Sequence, residues 1–221
     1  MRNRLYAGAA AVAAATALLA LTTAPAGAAG TPVLTIAGTS TAVAVGDSLS
    51  AGLVSGTLAT MYNPGTTTGV KCTVSTIGGT VSSNPTTPGT ASGPVSTLTF
   101  AGCTSNVVGV TGVNSLTMTN LPYTLSISDA AGLPVSLTPT AAGSIQAAVN
   151  LKTLAGNAIC TYKSTSGSLN GSATNTPPKI TMTNQNFTKL TGPSICFASI
   201  DFSASYGPVT DTTLGGTVFV N

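Results

Sequence analysis

The chain has 221 residues, only 5% of them charged, with no histidine and no tryptophan. Seven basic and four acidic side chains give a net charge of +3, and all four acids are aspartates. Without histidine or glutamate, Ser-His-Asp, Cys-His and H-E-x-x-H chemistries are excluded. Abundant β-branched residues and low charge exclude a disordered chain.

Arg2 and Arg4 begin a leader pattern that continues through an Ala/Leu-rich apolar run over 7–21 and ends in Pro25 and Ala26-Gly27-Ala28-Ala29. A basic start, a short apolar stretch and a small-residue end define an export signal peptide. We assign it to 1–28, a signal helix cut after Ala28 or Ala29. The run is shorter than the roughly 20 residues of a spanning helix. Asn3 separates the arginines, so the general export route is expected. Beyond the leader, five lysines against four aspartates leave about +1. No lysine cluster is present to neutralise a row of phosphates, so no nucleic-acid partner is expected. No run of about 18 apolar residues follows, so no membrane span is expected after cleavage.

The remainder, 29–221, reads as short β-branched runs separated by turn residues, the pattern of a sandwich or barrel. Strands are expected at 33–36, 41–45, 57–62, 70–75, 95–100, 107–110, 115–119, 123–128, 135–138, 145–151, 158–163, 179–183, 197–202 and 217–220. In Leu116-Thr117-Met118-Thr119 and Ile180-Thr181-Met182-Thr183 the alternation puts Leu, Ile and Met in the core and Thr outside. Asn63-Pro64-Gly65, Asn84-Pro85, Pro88-Gly89 and Asn120-Leu121-Pro122 supply turns. We expect an all-β domain: an antiparallel β-sandwich, Ig-like in class.

Cys72, Cys103, Cys160 and Cys196 suit disulfides in an exported chain and allow three pairings. A weak internal repeat favours Cys72–Cys103 and Cys160–Cys196. Cys72-Thr73-Val74, Gly78-Gly79, Leu98-Thr99-Phe100 and Cys103 in one half answer Cys160-Thr161-Tyr162, Gly167, Ile180-Thr181-Met182 and Cys196 in the other. The half-units are 31–132 and 133–221, in one body rather than two hinged domains. Without C-x-x-C or histidine, neither zinc nor a redox-active pair is expected.

No catalytic, cofactor or metal set emerges. Calcium needs six to eight oxygens, and the aspartates are widely spaced. Asp211 is the best local candidate, with a turn role bonding its own backbone as the simpler reading. Aromatic residues are few; Tyr206, beside Gly207-Pro208, is the other ligand-binding candidate. The Thr-x-Thr pairs lack a fixed coil period and read as ordinary wet strand faces. No lipoprotein cysteine follows the leader, and Leu121-Pro122-Tyr123-Thr124-Leu125 departs from L-P-x-T-G. A released extracellular product is expected.

Asn84-Pro85, Pro88-Gly89-Thr90, Cys103-Thr104-Ser105-Asn106-Val107, Asn120-Leu121-Pro122-Tyr123, Thr183-Asn184-Gln185, Phe187-Thr188, Cys196-Phe197, Phe202-Ser203-Ala204, Pro208-Val209-Thr210-Asp211 and the closing Val218-Phe219-Val220-Asn221 together resemble an uncharacterised actinobacterial, Streptomyces-type group of secreted proteins. The resemblance covers nearly all of 29–221. It implies export, four cysteines and β structure, and supplies no activity. The expected function is a non-catalytic binding, interaction or cell-surface module with an extracellular ligand or protein partner. The alternatives are a hydrolase using Asp or Ser–Lys, a small-ligand carrier, or a protease inhibitor.

Overall fold

The computed structural model describes residues 30–221, so the expected leader, 1–28, lies outside the described residues. The described residues form strands, in chain order β1 (Leu34–Ile36), β2 (Ser48–Gly52), β3 (Ala59–Tyr62), β4 (Gly69–Thr80), β5 (Thr90–Ser105), β6 (Val110–Thr119), β7 (Tyr123–Ser128), β8 (Pro134–Thr138), β9 (Gln146–Thr153), β10 (Gly156–Ser164), β11 (Leu169–Asn175), β12 (Pro178–Thr191), β13 (Ser199–Tyr206), β14 (Thr210–Asp211) and β15 (Val218–Val220). Every pairing is antiparallel.

Followed from neighbour to neighbour, β5, β4, β3, β13, β12, β11, β8 and β7 return to β5. Eight strands therefore close into a barrel, which corrects the expected Ig-like sandwich of two separate sheets. The physical reason is non-local. The pairings β3–β13 and β8–β11 join segments far apart in sequence, and they remove the open edges a sandwich would keep.

Long strands let the barrel carry a second layer. The first half of β12 pairs with β11 and its second half with β10, after an irregularity between Met182 and Gln185. From β10 the sheet continues through β9 to β6. The first and second halves of the chain thus share one ladder. The core is likewise continuous, running from Leu137, Leu169 and Ile180 in the barrel to Leu116, Val149 and Leu151 under the wing. Phe202 packs edge-on against Phe100 and Phe187, with ring centroids 6.2 and 6.5 Å apart, in the centre of that core.

The β4–β5 ribbon exchanges faces midway. Val70 and Cys72 are buried, then Val74 is exposed, and Ser75 and Ile77 are buried. A change in buried parity means the ribbon turns its other face inward. The turn falls at Gly102, whose φ of +61° is open mainly to glycine. A Cβ there would collide with Thr73 Oγ1. The disulfide Cys72–Cys103 joins directly opposed residues of the two strands beside this point. Cys160–Cys196 ties β10 to the segment before β13. Both pairings are those expected from the repeat.

Candidate functional site

Alternation along the strands decides what fills the barrel. Where inward positions carry Leu137, Leu169, Met182 or Tyr206, the interior is packed. Toward one end the inward positions become small: Ala51 on β2, Ala91 on β5 and Ala173 on β11, while Gly79 and Gly93 let β4 and β5 approach so closely that a Cβ on either would meet the Pro94 or Thr80 carbonyl. The surrounding Ile77, Val95, Ile127 and Ile180 do not fill the space these leave. The result is a mostly aliphatic cavity of about 100 Å³.

A strap formed by β1 and β15 bounds this end. The two strands form a ladder of their own, with single backbone bonds outside it from Val43 N–H to the Leu34 carbonyl and from Val218 N–H to the Val209 carbonyl, and Leu34, Val218 and Val220 line the cavity. Side-chain amides stand in for the missing ladder to the barrel. Leu34 N–H donates to Asn84 Oδ1 at 2.8 Å, and Asn84 Nδ2 donates to the carbonyls of Leu34 and Val43 at 2.9 and 2.8 Å. On the opposite side Asn175 Nδ2 donates to the Val220 carbonyl at 2.7 Å, and Val220 N–H donates to Asn175 Oδ1 at 3.1 Å. Each amide presents a donor and an acceptor as a backbone would.

The two residues singled out from sequence lie elsewhere. Tyr206 belongs to the packed interior, with its hydroxyl 2.8 Å from Ser75 Oγ. Burial pushes its pKa up to about 12, against a smaller lowering by the Ser75 hydrogen bond. Asp211 is wholly buried and takes the turn role. Its Oδ1 accepts the N–H groups of Thr213 and Leu214 at 2.8 and 2.9 Å, while Oδ2 has no partner among the described residues. Neither residue lines the cavity.

Among the described residues, the groups named for the hydrolase alternatives stand as follows. Asp201 stands on the outward side of β13 and accepts from Asn186 Nδ2 at 2.8 Å. The stretch from Asp201 to Tyr206 alone covers roughly 16 Å before the chain reaches buried Asp211. The buried serines are Ser75, bound to Tyr206, and Ser164, which donates to the Ser168 carbonyl. Lys189 donates to the Cys196 carbonyl, not to a serine. Among the described residues no group of three or more Cys, Asp, Glu or His side chains converges.

The sequence reading missed the cavity and the strap. Their signals were the alanines at inward strand positions, and Asn84 and Asn175, of which Asn84 is read only as part of a turn. In class, the chain is a closed antiparallel barrel with a strapped apolar end. No protein-family model matches it, and neither a curated protein nor a solved structure does.

Proposed function

We propose that the protein is an exported, disulfide-stapled, non-catalytic binding protein that takes a small apolar ligand in the cavity under its β1–β15 strap. The observation that carries this reading is the set of inward alanines, Ala51, Ala91 and Ala173, at the barrel end that the cavity occupies. Natural interiors are close-packed, and unfilled apolar volume costs stability. A ligand would recover that cost. Export is supported by the leader's composition and by two disulfides, which persist in oxidising compartments.

Size limits the ligand. An apolar cavity of about 150 Å³ holds benzene, so about 100 Å³ takes roughly four non-hydrogen atoms: the end of an alkyl chain or part of a small ring. At about 0.8 kcal/mol per buried methylene, four contribute about 3 kcal/mol, which corresponds to millimolar affinity for the tail alone. Groups outside the cavity must supply the rest.

The test is NMR titration of the full protein with a series of linear alcohols, propanol to hexanol. Methyl shifts confined to Ile77, Ile127, Ile180 and Val220 are expected, and Ala173→Leu should abolish them by filling the space. Ala51→Val supplies a gentler filling should the first variant fold poorly. Absence of shifts at saturating butanol, or shifts unchanged in both filled variants, sinks the reading.

A further inference from the structure

A second recess lies on the outside of the barrel, independent of the cavity. Strand register places Tyr62 of β3 opposite Gly69 of β4, and Lys71 opposite both Thr60 and Thr104. Met61, Val70 and Cys72 alternate with these residues and are buried, so Tyr62, Lys71 and Thr104 share the outward face. Together with the loop on either side they enclose a hollow of about 400 Å³. That volume falls within the range of small-molecule sites, roughly 300–1,000 Å³.

The floor of the hollow is fixed. Gly69 N–H donates to Asn106 Oδ1 at 2.8 Å, Asn106 Nδ2 donates to the Thr67 carbonyl at 3.0 Å, and Ser105 Oγ donates to the Gly69 carbonyl at 3.0 Å. These bonds engage both ends of the Asn106 amide and set the walls before any ligand arrives, which lowers the ordering cost of binding. The exposed groups around this floor are the Lys71 ammonium and the hydroxyls of Thr67 and Thr104, with the Tyr62 ring at one side.

We propose that this hollow is a subsite for an acidic sugar unit, with the Tyr62 ring against the sugar's apolar face, Lys71 on its carboxylate, and the two threonines on its hydroxyls. An aromatic ring offers apolar area with a defined plane. Lysine supplies the complementary point charge. No carboxylate lines the hollow. Asp201 of β13 is the register partner of Tyr62; its Oδ1 accepts from Asn186, and β3 separates it from Lys71, so the sugar's carboxylate belongs on the Lys71 side of the ring.

The experiment titrates the full protein with a galacturonate trimer and, in parallel, with the uncharged galactose trimer, read by amide NMR and calorimetry. The acidic trimer should bind and shift the amides of Tyr62, Gly69, Lys71 and Asn106. Lys71→Met should weaken it about tenfold, or 1.4 kcal/mol, with Lys71→Arg retaining most of it. Tyr62→Ala should cause a comparable loss, and added salt should weaken binding by screening. These substitutions lie on the wet face, where folding is least disturbed. The cavity-filled Ala173→Leu variant should bind the acidic trimer unchanged, which separates this subsite from the apolar one. Equal affinity for the neutral trimer, no loss in Lys71→Met, or no shifts at millimolar trimer would overturn the proposal.

Discussion

Tyr206 and Ser75 offer the sharpest test of the barrel interior. Both side chains are 1% exposed, and their oxygens lie 2.8 Å apart. Tyr206→Phe keeps the ring and deletes one partner, leaving Ser75 Oγ in a dry interior. Ser75→Ala strands the tyrosine hydroxyl in the same way. An orphaned buried polar group costs about 1–3 kcal/mol, so each single variant should lose about 2 kcal/mol. The double variant replaces both partners by apolar groups of nearly the same shape and should lose less than the two singles combined, with a coupling of at least about 1.5 kcal/mol. Urea unfolding with the disulfides intact measures this. At a slope of about 2 kcal/mol per molar urea, each single variant should lower the midpoint by about 1 M. Additive losses within about 0.5 kcal/mol would refute the buried pair. Unchanged stability in Tyr206→Phe would refute it as well.

Further outcomes follow from the same coordinates. Burial holds Tyr206 and Tyr162 at about 12 in the folded state, against about 10 unfolded. The folded state therefore keeps its phenolic protons where the unfolded state loses them. Stability should hold up to about pH 10 and fall between 10 and 12, and a flat profile to pH 11 contradicts this. Gly102→Ala forces an L-residue to φ +61° and into Thr73 Oγ1. It should cost at least about 1–2 kcal/mol by calorimetry, and adding Thr73→Ala should recover the collision but not the backbone strain. Replacing Cys160 and Cys196 by alanine frees a 36-residue separation, worth about 3.8 kcal/mol in the chain-entropy treatment. The melting temperature should drop by roughly 8–15 °C, and a drop under about 2 °C refutes the assignment of stability to this bridge. Asn175→Ala removes both hydrogen bonds to Val220. Hydrogen exchange should accelerate in β1 and β15 while β12 and β13 stay protected, and uniform exchange would deny the strap its independence.

Local physics made much of the strand content legible. Tyr123–Ser128 appears at the expected limits, and the burial of Leu116, Met118, Ile180 and Met182 follows from alternation alone. Other strands run further than expected. β4 continues through Gly78-Gly79 and β5 starts before Gly93-Pro94. The expected strands end at 75 and begin at 95, short of these residues, whereas ladder bonds to β2 and β7 carry the backbone across them. The expected strand over 107–110 is the turn into β6, because Val108 projects into solvent with no neighbour to pair. Closure itself was beyond a local reading. It depends on which distant segments meet, and β3–β13 and β8–β11 leave no mark in either partner alone.

The strands that went unrecognised share a physical cause with the cavity. Ser48–Gly52 and Leu169–Asn175 carry alanine, glycine, serine and asparagine where a strand signal needs branched or aromatic residues. These segments are β2 and β11, and both line the barrel end. A small residue at an inward position weakens intrinsic strand preference and withholds volume from the core at once. The sheet tolerates the first effect because β2 is held by β4 and β14, and β11 by β8 and β12. Nothing among the lining side chains offsets the second. Poor strand formers in a held position suit the ligand-receiving wall proposed above. Lengthening Ala173 should therefore raise stability by filling space as it removes binding, and a filled variant that lost stability through overpacking would show that the volume is already matched to its walls.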